Sequence, residues 1–235
     1  MNEVTVVGDN NIINNAAGDI NQAVFTSTEE NSLNAVITAQ IILDFLNVRE
    51  KYRDAEWSSR GDVLTTLHKY STQTNFLLAK ELFSFLSDIT EHNRGCLPKN
   101  IALSIWCLIT DFFPHCKGDN KAEQTIQLLD LCCEIGFNIA YDNAIYSGDF
   151  TTVMYGLLIL KYAYFKGKGN NNHAIIDRIN DKYNELEKLL ADPYDKKYLE
   201  LISCFRKDLS ENGLQFPKLP DNLTTIIYTK QPLNL

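Results

Sequence analysis

No Cys-x-x-Cys pair occurs in this chain, nor does Gly-x-Ser-x-Gly, nor Gly-x-x-x-x-Gly-Lys followed by Ser or Thr. The first absence removes the paired thiolates from which structural zinc sites are usually built. The second removes the strained turn that exposes a serine nucleophile, and the third the loop that wraps phosphates. Gly167-Lys168-Gly169 sets a lysine between glycines but lacks that spacing. Long apolar runs are missing too. The nearest, residues 153–165, is short and contains Lys161, whereas a membrane-spanning helix needs about twenty apolar residues. Met1-Asn2-Glu3-Val4 has neither the basic flank nor the apolar stretch of a signal peptide, so the cytoplasm is the expected address and no membrane is expected. Basic residues are few: 22 Lys and Arg stand against 30 Asp and Glu, giving a net charge of −8. Proteins that hold nucleic acid neutralise phosphates with clustered cations, and Lys161, Lys166 and Lys168 are the nearest approach here. Nucleic acid is therefore not an expected partner.

What is present is enough for a folded core. Hydrophobic residues make up 45% of 235, which suits one large domain or one domain with an appendage. The six cysteines, at 96, 107, 116, 132, 133 and 204, sit mostly inside apolar helical patterns such as Ile105-Trp106-Cys107-Leu108-Ile109. They read as reduced thiols packed as small hydrophobes, not as a disulfide framework.

Residues 1–26 differ in character from the rest. Val4-Thr5-Val6-Val7 is β-prone and runs into Gly8-Asp9-Asn10-Asn11, Ile12-Ile13, then Gly18-Asp19-Ile20 and Ala23-Val24-Phe25. Gly and Asn tolerate positive φ and so punctuate short strands with turns. Two or three such strands bury too little to stand alone, so they pair with the body or with other copies of the chain. A flexible polar leader is the other reading of the same residues.

From residue 27 the periodicity is helical. Ser27-Thr28-Glu29-Glu30 has the form of a capping box opening a first helix that continues towards Trp57. Further helices are expected over 63–70, 75–92, 99–113, 121–146, 151–165, 173–190 and 194–211. Gly167 to Asn172 is expected as a polar loop, and Pro193 in the first turn of the last helix. After Gly213 the chain reads as an extended tail, with a strand over 223–229 that could pair with the arm. The expected fold is thus mainly α. A helical-hairpin array or bundle fills 27–212, between a β-forming arm over 1–26 and a tail over 213–235.

Two stretches carry resemblances. Val6-Val7-Gly8-Asp9-Asn10-Asn11-Ile12-Ile13-Asn14 with Gly18-Asp19-Ile20-Asn21 resembles the Gly-Asp-Asn-rich leader of some bacterial conflict-system proteins. That resemblance implies a bacterial antiviral-defence setting and recruitment or oligomerisation through this segment. It carries over no catalytic residue. Asn143-Ala144-Ile145-Tyr146-Ser147-Gly148-Asp149-Phe150 is similar to the inter-helix turn of tetratricopeptide-type repeats. That family's consensus does not recur here at its period of about 34 residues, so a plain helical hairpin joined at Gly148-Asp149 also accounts for it.

The remaining candidates are dispersed. His92 and Cys96 straddle a helix end and His115-Cys116 are adjacent, both awkward for chelation, so no metal or cofactor is expected. Asp130 and Glu134 lie one turn apart and could bind a cation or serve acid–base chemistry, but such pairs are usually surface charge. Asp44, Glu50, Asp54 and Glu56 read the same way. Tyr155 and Tyr162, seven apart, form either an interaction face or ordinary core. The expectation is a non-enzymatic assembly or recognition protein. It would form a homo-oligomer or take a protein partner, with Val4, Val6, Gly8, Asp9, Asn10, Asn11, Ile12, Gly18, Asp19 and Ile20 as the assembly arm. An accessory, sensor or inhibitor role in antiviral defence is its most concrete form. The alternative is an effector enzyme whose site is assembled from dispersed residues.

Overall fold

The computed structural model describes the backbone of residues 5–8, 11–14, 22–73, 75–91, 95–115, 121–146, 148–190, 196–209 and 217–223. Side chains are described from residue 36 onward within those ranges, except at 115, 121 and 122. The protein is mainly helical, as the periodicity predicts. Two compact units divide it, residues 1–44 and 45–235.

The first unit holds a hairpin, β1 (Thr5–Gly8) and β2 (Asn11–Asn14), paired antiparallel with Val6 opposite Ile13 and Val7 opposite Ile12. It also holds most of α1 (Gln22–Asp54), a helix of 33 residues that runs on into the second unit. The helix starts before the Ser27 capping box, which therefore lies inside it. The physical reason is that residues 22 to 26 contain no Gly or Pro, so nothing stops the helix from extending upstream of a favourable local cap.

In the second unit, α1 ends with Phe45, Val48 and Tyr52 buried at spacings of three and four. A 3-10 turn (Trp57–Ser59) leads to α2 (Arg60–Thr65), which tightens into a second 3-10 stretch, Thr66–Gln73, where one helix over 63–70 was expected. Then come α3 (Phe76–Glu91), α4 (Lys99–Phe112), α5 (Lys121–Ile145), α6 (Phe150–Gly169), α7 (His173–Leu189) and α8 (Lys196–Asp208). The Asn75 side chain accepts from the Leu78 amide and caps α3, and Asn172 does the same for Ile175 at the start of α7.

The centre is the α5–α6 hairpin. A Cβ on Gly136 would sit 2.8 Å from the Gly156 carbonyl oxygen, and one on Gly156 would sit 2.6 Å from the Ala140 amide nitrogen. Small residues at this crossing let two backbones touch, which larger side chains would prevent. Helix α6 is apolar around most of its circumference because α4, α5, α7 and α8 all pack on it. Each fully buried Leu or Ile there contributes about 1.5–3 kcal/mol of transfer free energy.

The expected loop at 167–172 is corrected by the structure. Helix α6 continues through Gly169, leaving only Asn170 to Asn172 as the connection. Gly167 is buried, and a Cβ there would meet Ile175 of α7 at 2.9 Å, so this glycine serves close packing of two helices rather than a turn. Asn171 takes the positive φ, 52°, that the reversal needs. Pro193 and residues 224–229 of the expected strand lie outside the described residues, while its first residue, Leu223, is corrected to the end of a helical turn over 221–223, where its side chain is buried. Among the described residues no helix is long and apolar enough to cross a membrane.

Candidate functional site

Several charged residues of the helical body are engaged with one another. Arg178 on α7 donates to Asp130 at 3.0 Å and to Glu134 at 2.6 Å, both on α5. Lys182, one turn on, lies 3.4 Å from Glu134 and holds its ammonium 4.1 Å from the Phe137 ring centre. Burial alone would raise the Glu134 carboxyl; the Arg178 hydrogen bond and the nearby Lys182 outweigh it and hold the group below its usual value. The Asp130–Glu134 pair thus clamps α7 to α5. Glu50 and Asp54 lie exposed near the end of α1, as does Glu56 beyond it.

A second cluster lies where α6, α7 and α8 meet. The Lys161 ammonium, on a fully buried side chain, pairs with Asp208, and Arg206 pairs with Glu187 and donates to Asn184 at 2.6 Å. Tyr183 is buried beside them, and burial followed by the Asp208 charge pushes its hydroxyl well above the usual tyrosine value.

None of the five described cysteines is in a disulfide. Burial pushes the Cys133 thiol up to about 12, and burial and then Asp111 raise Cys107. Raised thiols are poor nucleophiles and poor ligands, since the reactive form is the thiolate. His68 lies with its Nδ1 2.6 Å from Asp111 Oδ2, a pair half-open to solvent that joins the 3-10 stretch after α2 to α4. Sequence reasoning missed this pair, whose members are 43 residues apart and carry no motif. Among the described residues no group of three His, Cys, Asp or Glu side chains is placed to hold a metal ion. His92, Cys116 and the side chain of His115 lie outside those residues.

Tyr162 is 2% exposed and packs edge-on against Trp106 and Phe113, with ring centres 5.8 and 5.6 Å apart. Tyr155 is half-buried, and burial raises its hydroxyl. Their common stripe along α6 is therefore mostly packing surface. At the Gly148–Asp149 junction the chain makes a short helical hairpin. Cys96 donates to the Tyr146 carbonyl at 3.4 Å, Tyr198 of α8 donates to the Gly148 carbonyl at 2.7 Å, and its ring stacks on Phe150 at 4.5 Å.

Of the arm, the backbone of Val6, Gly8, Asn11 and Ile12 belongs to the hairpin, while Val4, Asp9, Asn10, Gly18, Asp19 and Ile20 lie outside the described residues. Helix α1 carries apolar side chains that point to solvent: Val36 is 66% exposed, Leu43 54% and Leu46 49%. Spacings of seven and three place them along one side of the helix, offset from buried Phe45, Val48 and Tyr52. One recess of about 200 Å³ opens between the ends of α3, α4, α5 and α6, lined by Phe76, Phe113, Gln124, Leu128, Lys166 and Asn170 among others. Comparison with protein-family models, with curated proteins and with solved structures finds no match to this chain.

Proposed function

We propose that this chain is a non-enzymatic assembly or recognition protein that self-associates through its N-terminal region. The observation that carries the reading is the exposed apolar face of α1, because Val36 and Leu43 lose nothing by being covered and gain by leaving water. The hairpin supports it: among the described residues the sheet has two strands, so β1 and β2 each keep one open edge. The helical body supports it differently. Several of its buried and half-buried charges hold helices together, and burial keeps the Cys133 thiol protonated.

The Gly-Asp-Asn-rich leader makes a bacterial antiviral-defence component, acting as accessory, sensor or inhibitor from the cytoplasm, the most concrete form of the proposal. An effector enzyme is the second reading and would be built on the His68–Asp111 pair, with the raised Cys107 thiol counting against a cysteine nucleophile beside it. The deciding measurement is molar mass by light scattering, comparing the full chain with one beginning at Gln22. The full chain is expected to be an oligomer and the shortened chain to have lost subunits; identical masses would remove the arm from the proposal.

A further inference from the structure

We infer that the recess between the ends of α3, α4, α5 and α6 is a binding site for a small organic anion, a carboxylate on a compact apolar body, held by Lys166. This goes beyond the assembly role and does not depend on it.

The cation comes first. Lys166 lies in the last turn of α6 with its ammonium 5.8 Å from the Phe113 ring centre and 5.2 Å from that of Tyr162. Those rings are themselves packed edge-on, so the lysine is held in place by a rigid aromatic corner. Among the described residues no carboxylate lies within ion-pair distance of it. Lys161, Arg178, Lys182 and Arg206, the other cations packed into the α5–α8 region, each have one. A lysine in the last helical turn can instead serve the carbonyl end of the helix. Here that end is already closed: the Asn170 amide and side chain both donate to the Lys166 carbonyl, and the Asn172 amide donates to that of Gly167. The ammonium is thus not needed there.

The recess supplies the rest. Phe76, Phe113 and Leu128 form apolar walls, and Gln124 adds an amide able to donate to an oxygen anion. Its volume of about 200 Å³ suits a small organic body. A charge-assisted hydrogen bond fixes the carboxylate, and Phe76, Phe113 and Leu128 meet what carries it.

The test is calorimetric titration of the full chain with benzoate, benzyl alcohol and inorganic phosphate. Benzoate is expected to bind, with benzyl alcohol and phosphate each at least about tenfold weaker. K166Q should lose about tenfold in benzoate affinity, K166R should keep most of it, and K168Q, two residues on at an exposed position, should match the parent. Circular dichroism checks that each variant is folded. The inference is overturned if benzoate does not bind, if benzyl alcohol or phosphate binds as well, or if K168Q loses as much as K166Q.

Discussion

The Lys161 ammonium meets the Asp208 carboxylate across 47 residues of sequence, with 2% of one side chain and 16% of the other exposed. It joins the central helix to the end of α8, and it lies deeper than the other ion pairs described. Removing one member of a buried pair strands a charge in a poorly solvating interior, at a cost of about 3–5 kcal/mol. Asp208→Ala is therefore expected to lower stability by about 3 kcal/mol in urea denaturation. Replacing both groups with apolar ones, as in K161M with D208L, should be less destabilising than D208A alone. If the double variant is the worse of the two, the pair is a net source of stability.

The crossing of α5 and α6 makes a prediction of opposite signs. Gly156→Ala puts a methyl 2.6 Å from the Ala140 backbone, so the helices must separate, at about 1–3 kcal/mol. Gly169→Ala, in the same helix with nothing within 4 Å of the new methyl, should stabilise by about 0.5–1 kcal/mol through helix propensity. Thermal melts of the two variants should move in opposite directions. Two shifts of the same sign would mean that the crossing yields more easily than its geometry implies.

What the sequence made legible follows from the range of the forces involved. The amphipathic helices α3, α4, α7 and α8 were readable because each turns one apolar stripe to the core at a spacing of three or four. Gly167 misled, since a glycine that permits helix–helix contact and one that breaks a helix look alike until Ile175 is seen against it. Asp130 and Glu134 were visible as a pair, but their partner Arg178 lies more than 40 residues away. Lys161 read as a break in an apolar run because Asp208 is no nearer. The recess was invisible for the same reason: its walls come from three helices and the turn after α4, and only folding places Phe76 and Lys166 on one hollow.

The α5–α7 clamp predicts a pH dependence. The folded-state value of Glu134 is lowered, so its contribution is complete above the unfolded value of about 4.3 and is lost as pH falls through the folded value. E134Q removes the titrating group. The parent should exceed E134Q by up to about 1 kcal/mol near neutral pH, the usual size for a half-exposed pair, and the gap should narrow as pH falls below the unfolded value of about 4.3. Urea midpoints at pH 7 and pH 3 measure it. A gap that is equal at both values would show that shape, not charge, accounts for the effect of the substitution.

The exposed stripe on α1 separates the two devices in the assembly proposal. If the helix face supplies contact, replacing Val36, Leu43 and Leu46 together with serine should lower the molar mass in solution while leaving the melting temperature of the helical body nearly unchanged. The stability argument is local: these side chains are about half exposed or more, so little apolar burial within one chain is lost, and serine lowers helix propensity by only a few tenths of a kcal/mol per site. The same triple change in a chain beginning at Gln22 then assigns the roles. If the shortened chain is already a monomer, the hairpin is required and the stripe only strengthens what it begins. If the shortened chain keeps its mass and the serine variant of it does not, α1 alone is the contact and the open strand edges are left for another partner.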